Sequence, residues 1–142
     1  MSAQLKENAD GSLGVEGLKK GDASSGIINI NIEYNASSVD KSSFIATRQY
    51  RVKAITGRVT AAGTDASAVT AAVKKVASGT AIASGTALHS GTMNLKGTAN
   101  TNQILTVTST ASLIDVGDAI GADFTGTLTA ATGVITVTLT PA

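Results

Sequence analysis

Ile28-Asn29-Ile30-Asn31-Ile32-Glu33-Tyr34 alternates apolar and polar side chains without a break. Successive side chains of an extended backbone point to opposite faces. Ile28, Ile30, Ile32 and Tyr34 therefore share one side, and Asn29, Asn31 and Glu33 the other, which predicts a half-buried β-strand. The rhythm returns near the C-terminus, where Ile135, Val137 and Leu139 alternate with Thr136, Thr138 and Thr140. Threonine is β-branched and polar, so it suits the solvated face of a pleated sheet.

Between these two segments the pattern continues in shorter pieces. A polar turn is expected over residues 35–43, then a strand over residues 44–60 that changes phase midway. Tyr50 and Val52 lie on even positions but Ile55 and Val59 on odd ones. A slip of one residue turns every following side chain to the other face, so a bulge is predicted near residues 54–57. Val69, Ala71 and Val73 open a further strand; residues 104–108 form another; Ile120, Ala122 and Phe124 share a face. Short strands separated by glycine-bearing turns predict an all-β chain folded as a two-sheet antiparallel sandwich over residues 27–142. By alternation, Tyr34 and Tyr50 belong to its core.

Ser78-Gly79-Thr80, Ser84-Gly85-Thr86, Ser90-Gly91-Thr92 and Lys96-Gly97-Thr98 recur every six residues. A hexapeptide period is one mark of a parallel β-helix. Four copies make little more than one coil, with nothing stacked on it, and Asn94 breaks the apolar series begun by Ile82 and Leu88. Short strands joined by Gly-centred turns at a sheet edge are the expectation here.

Residues 1–26 read differently. Lys6, Glu7, Asp10, Glu16, Lys19, Lys20 and Asp22 stand among glycines and serines, with isolated Leu5, Leu13, Val15 and Leu18. No period is sustained, and so little apolar surface cannot offset the entropy of ordering. An extended or flexible N-terminal arm is expected, with Leu13, Val15 and Leu18 as apolar anchors on an outside surface.

Composition narrows the function. Ala, Thr, Gly and Ser make up about half of the 142 residues, and aromatic residues only 3%. The core is therefore lean, and self-association or docking on a larger body would add the missing burial. Eleven basic and ten acidic residues leave a net charge of +1, which gives no general footprint for nucleic acid. Arg48, Arg51, Lys53 and Arg58 come closest to a basic cluster. Without cysteine there is no disulfide framework and no thiolate metal site. No apolar run suggests a signal peptide or a membrane span.

Chemistry-bearing residues are sparse. His89 has no acid or nucleophile at a telling spacing. Asp115, Asp118 and Asp123 invite a calcium reading, but they spread over a turn and the strand after it, and calcium wants six to eight converging oxygens. Val116-Gly117-Asp118 reads instead as a polar corner. No phosphate loop, dinucleotide fingerprint or nucleophile elbow occurs. The expectation is a protein that is not an enzyme and needs no cofactor.

Tyr50-Arg51-Val52-Lys53-Ala54-Ile55-Thr56-Gly57-Arg58-Val59-Thr60, with Val116-Gly117-Asp118-Ala119-Ile120-Gly121-Ala122-Asp123-Phe124-Thr125-Gly126-Thr127-Leu128-Thr129, resembles small virion proteins of tailed bacteriophages. The nearest group is the capsid decoration, or cement, proteins, and the resemblance covers residues 45–142. It implies a jelly-roll-like sandwich, commonly a homotrimer, made in the host cytoplasm and seated on the outer capsid surface. There it would clamp the major capsid protein against internal pressure. Some such proteins carry an N-terminal arm across the shell. In that role Leu13, Val15 and Leu18 would make apolar contacts, with Lys19, Lys20, Arg48, Arg51 and Lys53 adding salt-sensitive ones. The alternative is a head-fibre or tail-fibre domain binding a host glycan or receptor through polar loops such as residues 61–67 and 100–103. A third reading is a calcium-stabilised module or metal enzyme built on Asp115, Asp118 and Asp123 with His89.

Overall fold

The computed structural model describes residues 26–142 and, before them, the backbone of two short strands, β1 (Leu5–Glu7) and β2 (Leu13–Val15). These two pair antiparallel, with Leu5 opposite Val15 and Glu7 opposite Leu13. Leu13 and Val15 thus fall in β2, while Leu18, Lys19 and Lys20 lie outside the described residues.

The remaining chain is an antiparallel sandwich of two sheets. The first contains β3 (Ile28–Tyr34), β12 (Thr132–Pro141) and β5 (Tyr50–Ala61), with β9 (Asn102–Leu105) and β10 (Leu113–Ile114) sharing the far side of β5. The second contains β4 (Lys41–Ile45), β11 (Ala119–Thr125) and β6 (Thr70–Val76), with β7 (Thr86–Ala87) and β8 (Met93–Asn94) sharing the far side of β6. Counting β7 with β8, and β9 with β10, as split strands gives eight positions. The chain crosses between the sheets at every step except β6 to β7–β8. This is the wrapping of a jelly roll.

The alternating segments supply the core as expected. Ile30, Ile32 and Tyr34 on β3 and Ile135, Val137 and Leu139 on β12 are buried, and the register sets Ile32 against Ile135 and Ile30 against Val137. Where β5 brings Gly57 into the Ile32–Ile135 row, Met93 from the opposite sheet fills the space a side chain would take. Tyr34 and Tyr50 are both core residues, in contact with Phe124 and Phe44 respectively.

The phase change in β5 is a bulge. Its pairing with β12 steps from Ala54 to Val52, leaving Lys53 unmatched, so Val52 and Ile55 are both buried although they differ in parity. The bulge lies at Lys53, immediately before the stretch near which it was expected. Three expectations need correction. The strand expected over residues 104–108 is β9, which starts at Asn102 and ends at Leu105, with only an isolated bridge beyond it at Val107. Residues 44–60 are not one strand: Phe44 belongs to β4 in the second sheet, and the chain changes sheets over residues 46–49. Residues 41–43, expected in the turn, are part of β4. This edge strand half-buries only Phe44, so an alternation signal had almost nothing to register there.

The hexapeptide region forms the outer edge of the second sheet. Ile82 begins a short 3-10 turn (Ile82–Ser84) that touches β6 and β11, and Ile82 and Val76 are buried apart from the main core. The strands that follow, β7 and β8, are two residues each, as expected for an edge. Among the described residues no helix is long and apolar enough to cross a membrane.

Candidate functional site

On the side of β6 away from β11, β7 and β8 leave Ala72 and Val73 without a strand partner, and a side chain fills the gap. The Val73 N–H donates to Nε2 of His89 at 2.9 Å, while Nδ1 of His89 lies 3.2 Å from the Ser90 carbonyl. In this pairing the ring carries its proton on Nδ1 and donates it to that carbonyl. The backbone at His89 meanwhile leaves the second sheet and bridges to Val107 beyond β9. Ser90 N–H donates to Thr106 O and Thr108 N–H to Leu88 O, so this side of the sandwich is stitched shut. His89 is buried at 3% exposure and holds a seam together; among the described residues no carboxylate or nucleophile bonds to its ring.

The three aspartates do not converge. Asp118 donates its N–H to Asp115 O at 3.0 Å and returns a carboxylate oxygen to the Asp115 N–H at 3.0 Å. Gly117, at φ +88°, supplies the left-handed third position of this tight turn. Asp115 also accepts from Gln49 Nε2 at 2.7 Å, and Asp123 pairs with Lys74 at 2.6 Å. The turn is the polar corner the sequence predicts. Among the described residues no three His, Cys, Asp or Glu side chains gather as a metal site.

An open cleft of about 480 Å³ lies where β3 runs into residues 35–40. Its polar groups largely bond to one another: Thr60 and Thr132 hydroxyls lie 2.7 Å apart, and Lys41 Nζ donates to Glu33 O at 3.1 Å. Tyr34 is 3% exposed, so it offers no ring for stacking. Its hydroxyl is buried over Gly133 and has no hydrogen-bond partner among the described residues. Burial pushes the Tyr34 phenol up to about 12.

These facts carry a prediction. A buried unpaired hydroxyl costs about 1–3 kcal/mol, so Tyr34→Phe should stabilise the fold by about 1 kcal/mol and raise Tm by a few degrees. The folded chain also holds the phenol proton more tightly than the unfolded chain. Tyr34's contribution is complete below pH 10 and is lost as pH rises from 10 towards 12, by up to about 1.4 kcal/mol per pH unit. Urea titrations of both proteins at pH 8 and pH 11 would separate these effects. A less stable Tyr34→Phe protein at pH 8 would show that the hydroxyl is satisfied after all.

The cationic residues fare better as a group. Arg51, Lys53 and Arg58 are exposed on β5, opposite in phase to its buried Tyr50, Val52, Ile55 and Val59, and so share the outer face of the first sheet. Arg48 lies at the end of that strand, in residues 46–49. Ile104 on β9, directly opposite Thr56, adds a side chain that is 82% exposed. Sequence reasoning missed Ile104 as a surface residue, although one of the adjacent pair Ile104 and Leu105 had to face outward, and Leu105 is the buried one. Comparison with protein-family models, with curated protein sequences and with solved structures finds no match to this chain.

Proposed function

We propose that this chain is a non-enzymatic structural protein of a phage virion, a decoration protein that docks on the outer capsid surface and stabilises the major capsid protein. The observation that supports this reading most is the division of labour within the sandwich. Among the described residues the interior holds no gathered chemistry, while the outer face of the first sheet exposes Arg51, Lys53, Arg58 and Ile104. A homotrimer fits the lean core, because association adds burial that a small Ala- and Thr-rich chain lacks. Many weak contacts over a shell would also gain by avidity.

A fibre domain that binds a glycan has less support. Sugar sites favour exposed aromatic platforms with polar partners. Here both tyrosines are buried, and Phe44 and Phe124 pack against the core.

The reading is tested with purified empty heads of the phage that encodes the chain. Light scattering behind size exclusion should return a trimer, and the protein should coat the heads in many copies. A stable monomer that leaves the heads bare would overturn the proposal.

The N-terminal segment makes a separate prediction. Continuing the β3–β12 register past Ile28 and Leu139 sets Gly26 beside Pro141, which has no N–H to give the ladder. A side chain at Gly26 would come within 2.7 Å of the Pro141 ring. The ladder therefore stops at Ile28, and deleting residues 1–26 removes none of its pairs. The truncated protein should keep its Tm. If Leu13, Val15 and Leu18 pack on the shell, each contributes roughly 1–2 kcal/mol when largely buried. Lys19 and Lys20 would add smaller, salt-sensitive terms. Head occupancy at limiting concentration should then fall at least about tenfold, the equivalent of 1.4 kcal/mol. Unchanged occupancy would reduce the segment to a tail.

A further inference from the structure

The outer face of the β3–β12–β5–β9 sheet is built in rows that run across the strands. One row is Asn31, Thr136, Thr56 and Ile104; the next is Glu33, Val134, Arg58 and Asn102. Thr136 donates to Asn31 Oδ1 at 2.8 Å and Thr138 to Asn29 Oδ1 at 2.7 Å, so the central side chains are already fixed. Fixed side chains lose little freedom when a partner covers them. Charge is one-sided here. Arg51, Lys53 and Arg58 face outward from β5, and Glu33 is the single acidic residue in the β3, β12, β5 and β9 strands. The strands of the other sheet carry as many cations, Lys41, Lys74 and Lys75, but there each is tied down: Lys74 pairs with Asp123 and donates to Ala83 O at 2.7 Å, Lys75 donates to Leu113 O, and Lys41 donates to Glu33 O at 3.1 Å.

We infer that this face is the docking surface, and that its partner is a flat acidic protein surface with a shallow apolar recess for Ile104. The inference rests on the capsid-binding reading and names the face and the partner chemistry within it. A second copy of the chain is the wrong occupant. Face-to-face pairing would set the three cations against three more, with only two Glu33 carboxylates to offset them. The size of the face agrees with a larger partner. Four strand positions about 4.8 Å apart and about 23 Å long give about 400 Å², half the roughly 800 Å² per partner of a stable pairwise interface. One face alone therefore holds weakly, and its strength comes from repetition over a multivalent surface.

The test compares the intact chain with Arg51→Glu/Lys53→Glu/Arg58→Glu, with Ile104→Ser, and with Ser43→Glu on the exposed outer edge of the other sheet. Circular dichroism melts first establish that each variant is folded. On empty heads at low salt the triple variant should bind at least tenfold more weakly, and the difference should shrink as salt rises. Ile104→Ser should lose several-fold at any salt, and Ser43→Glu should match the parent. Equal binding by the parent and the triple variant would overturn this face while leaving the capsid reading intact. If the parent ignores the heads, the capsid reading fails, and a sensor surface of poly-L-glutamate still decides the face. Salt-sensitive binding that the triple variant lacks supports it, and equal binding or none overturns it. Tighter binding to duplex DNA than to poly-L-glutamate would also overturn the proposal, by making the partner a nucleic acid.

Discussion

Replacing Gly121 by alanine should lower stability by about 3 kcal/mol and Tm by about 10 °C, more than a single methyl group normally does. Gly121 is buried in β11 at the point where its pairing with β4 shifts register, from Ile120 opposite Phe44 to Gly121 opposite Ser42. A Cβ there would overlap the Lys41 carbonyl and stand 2.8 Å from Ser42 Cα. Both obstacles are backbone, so no rotamer change relieves them, and β4 would have to separate from the sheet. Gly63→Ala is the control. Its nearest obstacle is Ala131 Cβ at 3.5 Å, an ordinary contact, and Tm should barely move. Thermal melts of both proteins decide the matter; a Gly121→Ala protein that melts with the parent would mean that β4 packs less closely than described.

His89 should be nearly as costly to lose. His89→Ala leaves the Val73 N–H buried without its acceptor and opens a cavity in the seam, for a combined loss of about 3 kcal/mol. His89→Leu fills most of the space but still cannot accept, so it should lose about 1–2 kcal/mol. Amide hydrogen exchange gives the diagnostic. Val73 should exchange much faster in both variants, while Ile55 and Val137 in the other sheet keep their protection until global unfolding. An unchanged Val73 amide would remove the histidine from the seam.

The sandwich class, the inward set of side chains and the bulge in β5 could all be read from the sequence, because a period of two is written by burial and burial dominates the central strands. The bulge was legible because Tyr50, Val52, Ile55 and Val59 are all large and all inside. Edges were harder. Lys41-Ser42-Ser43 carries no mark of being a strand, since neither face of β4 is buried there. His89 looked inert for the same reason: its role depends on a gap in the pairing of β6, and a gap leaves no periodic trace. The basic residues were visible as a cluster, but their sharing of a face with Ile104 came only with the β5–β9 register.

The meeting of Gly26 and Pro141 at one end of adjacent antiparallel strands also sets how the domain answers mechanical load. Tension applied through the two chain ends would pull β3 and β12 apart from that end, opening their ladder one rung after another instead of shearing all rungs at once. Pulled that way, the sandwich is a zipper and a weak link. Load that enters across the broad face of the first sheet is shared by every strand of it at the same moment. A graft at Gly26 or after Pro141 would therefore hang from the same end of the first sheet, and tension on it would enter through this one ladder.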